Sequence, residues 1–274
     1  MLVGLNDVLR PAQKGGYAVG LFNTINLEMA VGVFAAAERL RSPVIVGSAE
    51  VLLPFGPLEE LSYLLLPMAK RASVPVVLHF DHGTTLENTV KAIDLGFSSV
   101  MYDRSDRPFK DNLKEVKELT DYAHKKGVTV EAELGHVGTG EDLGFLTDPD
   151  TAEEFAVKTG VDALAVSIGT VHGPYLKKPC LDIELLRKIR SQVDVPLVLH
   201  GGSGLSEEQF KECIKNGICK VNIFTDINKA AAKAAGELYT DGKAMTDLIP
   251  SMYEAVRAAT EEKMLLFGSD GKAL

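Results

Sequence analysis

Short apolar runs alternate along this chain with longer segments in which apolar residues recur every three or four positions. Eight runs have the length and composition of strands buried on both faces, at residues 17–22, 43–46, 76–80, 99–102, 128–134, 163–167, 196–200 and 220–223. A helix-period segment follows each run, at about 27–41, 57–72, 85–95, 109–126, 151–159, 183–191, 206–216 and 226–238. One more helix is predicted on either side of this array, at 6–14 and at about 249–266.

Strict alternation of strand and helix is typical of α/β proteins in which parallel strands are joined by right-handed crossovers. Eight such units close into a (β/α)8 TIM barrel, although a doubly wound open sheet can show the same alternation. No linker or low-complexity tract interrupts the chain, so we predict one barrel domain over residues 1–274, with an extra N-terminal helix and an extra C-terminal helix.

Composition narrows the class of protein. The chain has 274 residues, of which 46% are hydrophobic, and this suits one barrel with a large core. The formal net charge of −9 argues against nucleic acid or a membrane surface as the main partner. The chain has no membrane-length apolar run and no basic leader, and its three cysteines are widely spaced, so we expect a cytoplasmic protein.

Polar side chains follow the predicted strands, at the end where barrels carry their active sites. His82, His172 and His200 come after strands three, six and seven, so they should meet at one rim. Three converging imidazoles predict a metal site that keeps one coordination position open. The same rim carries the carboxylates of Asp81, Asp103, Glu131 and Glu133. Histidines at strand ends can instead be helix caps or pocket liners, as we expect for His124 and His136.

The third strand ends abruptly at Asp81, His82 and Gly83. Thr84 and Glu87 then have the spacing of a capping box, in which the two side chains bond each other's backbone at the start of a helix. Asp81 is therefore predicted at the mouth of the barrel, and its ordinary alternative role is a helix cap.

Glycines mark a predicted phosphate site after strands seven and eight. Residues 201–204 read Gly-Gly-Ser-Gly, and residues 222–225 follow the last strand. Barrels commonly bind phosphate there through backbone N–H groups and a short helix N-terminus. Turns use the same residue types, and it is the position in the barrel that favours phosphate.

Motifs in one order along nearly the whole chain resemble the class II, metal-dependent ketose-bisphosphate aldolases. They are residues 22–28 (FNTINLE), 79–83 (HFDHG), 98–103 (SSVMYD), 130–135 (VEAELG), 169–175 (GTVHGPY), 199–204 (LHGGSG) and 267–273 (FGSDGKA). The resemblance implies an enzyme, a carbon–carbon lyase that acts on a sugar phosphate.

The resemblance also implies roles for particular residues. His82, His172 and His200 would bind a catalytic Zn²⁺, and Asp103 and Glu133 would occupy secondary metal positions. The residues expected to bind dihydroxyacetone phosphate, together with a monovalent cation (Na⁺ or K⁺), are Asn23, Gly173, Gly201, Gly202, Ser203, Asn222, Ile223, Phe224 and Thr225. Phe224 replaces a smaller residue of the family pattern.

Two carboxylates match the catalytic positions of this family. Asp81, beside His82, is placed to serve the C4 oxygen as acid or base. Glu141, in a glycine-rich loop, matches the residue that moves the proton on the enediolate carbon. The competing mechanism is a Schiff base, which needs a lysine inside the mouth. No predicted strand ends in lysine, because Lys220 is predicted at the start of strand eight and Lys177 and Lys178 in a loop.

We therefore expect a zinc-dependent aldolase that cleaves fructose- or tagatose-1,6-bisphosphate to dihydroxyacetone phosphate and glyceraldehyde 3-phosphate. The position where many fructose-bisphosphate aldolases carry an arginine for the second phosphate falls on Tyr253, and a hydroxyl position falls on Ala49. A ketose 1-phosphate with a different aldehyde half is therefore an alternative, unless Arg104 or Arg107 replaces that arginine.

Two further alternatives remain, namely a non-catalytic barrel subunit of an aldolase complex and a metal-dependent hydrolase on the same barrel. The complete set of candidate catalytic residues argues against the first. Because the family uses its C-terminal helix in dimer contacts, we expect a homodimer or a homotetramer.

Overall fold

The structure, a computed structural model, describes residues 1–139, 142, 144–173 and 179–273. Eight parallel strands form a closed barrel in chain order, and the eighth strand pairs with the first. The strands are β1 Val19–Asn23, β2 Val44–Ala49, β3 Val76–Gly83, β4 Ser99–Tyr102, β5 Thr129–Leu134, β6 Ala163–Val166, β7 Leu197–Leu199 and β8 Ile218–Ile223. The predicted (β/α)8 TIM barrel is confirmed.

Helices follow every strand and surround the barrel. Within the described residues they are α1 Leu5–Gly15, α2 Leu27–Leu40, α3 Leu58–Arg71, α4 Leu86–Asp94, α5 Phe109–Lys125, α6 Pro149–Thr159, α7 Ile183–Gln192, α8 Glu207–Lys215, α9 Thr225–Leu238 and α10 Met245–Phe267. A 3-10 turn at Glu50–Leu52 follows β2. No described helix is both long enough and apolar enough to cross a bilayer.

The first helix closes the amino-terminal end of the barrel. Leu5 and Leu9 of α1 are completely buried, and they pack in one cluster with inward-facing strand residues such as Leu21, Ile45 and Val77. Apolar side chains therefore fill the lower half of the barrel interior. The inward positions further along the strands are polar, and this leaves the carboxyl-terminal mouth available for chemistry.

The last helix packs against α2 and α9 on the outside of the barrel. Gly32 of α2 is required for this packing, since a Cβ atom there would lie 2.7 Å from Cβ of Val256 in α10. Val256 and Met264 are both completely buried in the main core. The apolar residues of α10 therefore have a role within one chain.

The start of α4 differs from the sequence prediction. Thr85, and not Thr84, is the N-cap, and its hydroxyl accepts a hydrogen bond from the N–H of Asn88. The backbone N–H groups before α4 are bonded by a side chain from the β2–α3 turn. Oε2 of Glu50 accepts hydrogen bonds from the Thr84 and Thr85 N–H groups at 2.5 and 3.0 Å. The predicted capping box of Thr84 and Glu87 is wrong.

Candidate active site

Three imidazoles and one carboxylate converge at the carboxyl-terminal mouth of the barrel. One ligand atom from each of His82, Glu133, His172 and His200 lies within 4.8 Å of the others. The ring centroids of His82 and His200 are 4.4 Å apart, and those of His82 and His172 are 4.7 Å apart. Closure of the barrel thus brings together side chains that lie as many as 118 positions apart in sequence.

An irregular backbone at the tip of β3 turns two consecutive side chains toward this mouth. Successive residues of a regular strand face opposite sides of the sheet. The pairing of β3 with β4 shifts register between Phe80 and Gly83, and His82 has a positive φ of 43°. Such a backbone costs a non-glycine residue roughly 1–3 kcal/mol and tends to occur at functional sites. As a result, Asp81 and His82 both line the same cavity.

Hydrogen bonds behind the imidazoles determine which ring nitrogens face inward. Nδ1 of His82 lies 2.8 Å from Oδ2 of Asp103, and Nε2 of His200 lies 2.9 Å from Oε1 of Glu131. An ionised carboxylate accepts a hydrogen bond, so it holds the proton on the nitrogen that faces it. The other nitrogens, Nε2 of His82 and Nδ1 of His200, face each other at 2.6 Å. A donor set oriented in this way fits a divalent cation such as Zn²⁺.

The two carboxylates expected at secondary metal positions lie in different places. Glu133 belongs to the converging group, and its Oε1 accepts a hydrogen bond from the N–H of Val137 at 2.9 Å. Burial raises the pKa of Glu133 to about 8, and the charge of Asp103 acts in the same direction. Asp103 instead contacts Nδ1 of His82, the nitrogen that faces away from the other imidazoles. Asp103 therefore orients the candidate metal ligand His82 and does not join the converging donors.

Burial keeps two of the three imidazoles neutral. It lowers the pKa of His172 to about 3, helped by the charge of His82, and it also lowers the pKa of His200. Burial alone would lower the pKa of His82 as well, but the charge of Asp81 and the hydrogen bond to Asp103 raise it to about 10. At neutral pH and without a metal, His82 is therefore protonated on both ring nitrogens, whereas His172 is neutral.

Two amides hold the buried carboxylate of Asp81. Nδ2 of Asn23 donates to its Oδ2 at 2.8 Å, and Nδ2 of Asn222 donates to its Oδ1 at 2.9 Å. Burial alone would raise the pKa of Asp81, yet the positive charges of His82 and Lys220 lower it below its ordinary value. Asp81 is thus an ionised base at the mouth, next to the converging imidazoles.

A cavity of about 410 Å³ opens at this mouth. Besides Asp81, His82, Asp103 and His172, its lining contains all nine residues predicted to bind substrate, which are Asn23, Gly173, Gly201, Gly202, Ser203, Asn222, Ile223, Phe224 and Thr225. Helix α9 begins at this lining, and no side chain caps its first turn, whereas Ser206 caps α8. The N-terminal N–H groups of α9 are thus suited to an anion such as phosphate.

The end of β2 and the β2–α3 and β5–α6 connections supply the rest of the described lining, which consists of Ala49, Val51, Leu52, His136, Val137 and Thr139. His136 donates to, or accepts from, Oγ of Ser105 through Nδ1 at 3.0 Å. His124 lies elsewhere, bonded to Asp162 at 2.8 Å on the surface. The predicted loop acid Glu141 lies outside the described residues, as do Lys177 and Lys178.

The two arginines considered as replacements for a phosphate-binding arginine do not line the described cavity. Nε of Arg104 makes a 2.6 Å ion pair with Glu115, and its Nη1 donates to the carbonyl of Thr84. Arg107 lies 3.6 Å from Asp106. Both side chains therefore have partners other than a ligand of this cavity.

Lys220 is the main correction to the sequence prediction. Strand β8 begins at Ile218, so Lys220 does not start the strand, and its side chain is completely buried inside the barrel. Its Nζ lies 2.8 Å from Oε2 of Glu131. A lysine inside an apolar run usually signals a strand end, and an interior lysine is tolerated only with a buried partner. That partner lies 89 positions away and gives no local signal.

A closed parallel barrel whose mouth carries a histidine donor set beside an ionised carboxylate is the architecture of a barrel enzyme with a possible metal site. The family model for fructose-bisphosphate aldolase class-II matches residues 3–272. The chain is 42% identical over 279 residues to the protein YdjI of Escherichia coli K12, described as uncharacterized, with 100% of both chains covered. It is 40% identical over 283 residues to the fructose-bisphosphate aldolase of Geobacillus stearothermophilus, with 99% of both covered.

A solved structure agrees with these sequence relatives. The crystal structure of the YdjI aldolase from Escherichia coli K12 superposes with a TM-score of 0.93 and 40% identity over 100% of both chains. The chain belongs to the class II fructose-bisphosphate aldolase family and is a lyase. Members of this family are generally metal dependent, and the converging donors of His82, Glu133, His172 and His200 form a possible metal site.

Proposed function

We propose that this protein is a zinc-dependent aldolase that reversibly cleaves a ketose phosphate to dihydroxyacetone phosphate and an aldehyde. The observation that carries the proposal is the convergence of three imidazoles beside the ionised carboxylate of Asp81. The favoured substrate is fructose- or tagatose-1,6-bisphosphate, because a relative 40% identical to this chain is named fructose-bisphosphate aldolase.

The proposed metal ligands are His82, His172 and His200, with Glu133 within reach of the same point. A divalent cation held there would supply Lewis-acid chemistry, polarising the ketose carbonyl and stabilising the charge left when the C3–C4 bond breaks. Asp103 and Glu131 keep the donor nitrogens of His82 and His200 turned inward. Such orienting partners typically change metal affinity by about 10–100-fold.

Asp81 is the proposed acid/base for the C4 oxygen. In the cleavage direction its carboxylate takes the proton of the C4 hydroxyl, and in the condensation direction it returns that proton. The amides of Asn23 and Asn222 restrict rotation of the carboxylate, so one geometry serves both directions. Glu141 keeps its predicted role in moving the proton on the carbon next to the carbonyl.

The phosphate of the dihydroxyacetone half is proposed to lie between the glycines after β7 and the start of α9. Gly201, Gly202 and Ser203 line the same cavity as Thr225, the first residue of α9, whose first turn has no side-chain cap. Backbone N–H groups and the positive end of the helix dipole would hold the phosphate oxygens there. A monovalent cation bound beside this phosphate remains part of the proposal.

The two candidate substrates differ in the aldehyde half of the sugar, which carries a second phosphate in one candidate and none in the other. The described lining includes apolar Ala49, Val51, Leu52 and Val137, and His136 is its one basic side chain apart from the metal-facing histidines. Loss of a desolvated guanidinium–phosphate pair costs about 2–5 kcal/mol, which is roughly 30-fold or more in affinity. The second candidate is therefore a ketose 1-phosphate whose aldehyde half is not phosphorylated.

The deciding experiment compares three substrates on fully zinc-loaded protein. The kcat/KM for fructose 1,6-bisphosphate, tagatose 1,6-bisphosphate and fructose 1-phosphate would be measured under one set of conditions, with release of dihydroxyacetone phosphate as the readout. A preference of ~10³ or more for a bisphosphate supports the favoured substrate, and one below ~10 supports the ketose 1-phosphate. A protein that binds zinc and cleaves none of these sugars would overturn the proposed function.

A further inference from the structure

A β-bulge aims Lys220 into the barrel interior below the active-site mouth. In the pairing of β7 with β8, Leu197 lies opposite Ile218 and Val198 lies opposite Lys220, so Cys219 is the extra residue. Bulges change the direction of the side chains that follow them. Lys220 and Asn222 consequently face inward, while Val221 and Ile223 pack in the core around the barrel.

The ammonium group of Lys220 joins two parts of the proposed active site. Its Nζ contacts both carboxylate oxygens of Glu131, at 3.0 and 2.8 Å, and Oε1 of Glu131 accepts the hydrogen bond from Nε2 of His200. The same Nζ donates to Oδ1 of Asn222 at 2.8 Å, and Nδ2 of Asn222 donates to Asp81. One buried cation is therefore two hydrogen bonds away from both a metal-binding histidine and the catalytic carboxylate.

We propose that Lys220 is a positioning residue that sets the orientation of His200 through Glu131 and of Asp81 through Asn222. The inference rests on the aldolase function proposed above. A donor at Oδ1 of Asn222 keeps the amide nitrogen turned toward Asp81, and without that donor the amide can rotate and present its oxygen to the carboxylate. The contacts of Lys220 with both oxygens of Glu131 likewise hold this carboxylate in one orientation, with Oε1 directed at Nε2 of His200.

Two other roles for this lysine fit the structure less well. A Schiff base needs the amine to reach the substrate carbonyl, but Lys220 has no exposed surface and does not line the described cavity. The second role is that of a neighbour to another metal site, since donor atoms of His79, Asp81 and Glu131 lie within 4.8 Å of one another. The ammonium group 2.8 Å from Glu131 already compensates this negative charge.

The test replaces Lys220 with methionine, which has a similar length and no charge. Lys220→Met is expected to weaken zinc binding at least ~10-fold in chelator competition, the usual effect of losing an orienting partner. It should also shift the visible spectrum of the cobalt-substituted protein and lower kcat at least ~10-fold while KM changes less than ~3-fold. The spectrum and the zinc affinity require no substrate, so they test the His200 branch even if the proposed reaction is wrong.

A matched control and a charge-balanced variant separate positioning from folding. Arg190→Met removes a partly buried cation at the other end of the barrel, where the guanidinium donates to the carbonyls of Val193 and Val195. It should leave zinc affinity, cobalt spectrum and kcat unchanged. The double variant Lys220→Met with Glu131→Gln removes both buried charges, so it should fold even if the single variant does not.

The double variant also decides the outcome. A Glu131→Gln single variant is the reference for this double variant, because Glu131 itself contacts His200. If Lys220 positions the site, kcat of the double variant should remain below that of the Glu131→Gln variant, because Asn222 does not regain its donor. If the two variants have the same zinc affinity, cobalt spectrum and kcat, Lys220 is merely a charge partner and the proposal is wrong.

Discussion

His82 has to lose a proton before it can bind a metal. Its pKa is raised to about 10, so at pH 7 the metal-free imidazole is protonated, while His172, with a pKa of about 3, is already neutral. His82 and Glu133, whose pKa is about 8, both hold a proton at pH 7. Zinc uptake at pH 7 should therefore release at least about one proton, and apparent affinity should rise at least roughly tenfold per pH unit on the acidic side of the His82 pKa. Calorimetry in two buffers of different ionisation enthalpy measures this release, and a binding heat independent of the buffer would contradict it.

Asp81 is the residue whose loss should most affect the chemical step. Asp81→Ala removes the proposed base but no proposed metal ligand, so cleavage should fall at least ~10²-fold while zinc stays bound. Steady-state assays combined with metal analysis of the same sample check this prediction. Cleavage at the parent rate by a zinc-loaded Asp81→Ala protein would show that another group carries the proton.

At the scale of elements, Glu50 connects the β2–α3 turn to the start of α4. Its carboxylate accepts hydrogen bonds from the backbone of Thr84 and Thr85 and from Nδ2 of Asn88. Loss of a cap usually costs about 0.5–2 kcal/mol, so Glu50→Ala should lower Tm by roughly 2–4 °C per kcal/mol in a protein of this size. Calorimetry measures the shift. The control is Glu87→Ala, which removes an exposed side chain and should leave Tm unchanged.

The contribution of Glu50 should also depend on pH. Partial burial alone would raise its pKa, but hydrogen bonds from Thr85 and Asn88 outweigh this effect and lower it. A lowered folded-state pKa means that the stabilisation is present above the ordinary pKa and is lost as pH falls through the folded value. The Tm difference between parent and Glu50→Ala should therefore shrink in acid. An equal Tm loss for Glu50→Ala and Glu87→Ala at neutral pH would instead support the sequence-predicted cap.

Regular elements were predictable from the sequence, whereas contacts between distant elements were not. All eight strands follow from apolar runs, because strands buried on both faces are mostly apolar. The buried Lys220 nevertheless displaced the predicted start of β8, which begins at Ile218. The rim histidines follow from the same pattern, since parallel strands place their carboxyl ends together. The role of Glu50, the direction of Lys220 and the left-handed backbone of His82 depend on pairings or bulges formed only in the closed barrel.

At the scale of the whole molecule, the assembly remains a prediction. Val256 and Met264 of α10 are buried within one chain, but Leu265 is 55% exposed on the same helix. We expect a homodimer or a homotetramer in which α10 contributes to the contact. Light scattering at micromolar concentration measures the mass directly. A monomeric mass at that concentration would contradict this expectation and confine the role of α10 to closing the outer layer of its own barrel.

The central claim is that cleavage depends on a metal held by the rim histidines and does not proceed through a lysine. The direct measurement removes the metal with a chelator, follows release of dihydroxyacetone phosphate, and then adds zinc or cobalt, with a parallel sample treated with borohydride and substrate. Cleavage should disappear on chelation, return with either metal and survive borohydride. Cleavage that persists without metal, together with borohydride inactivation and a substrate adduct on Lys220, would contradict the account.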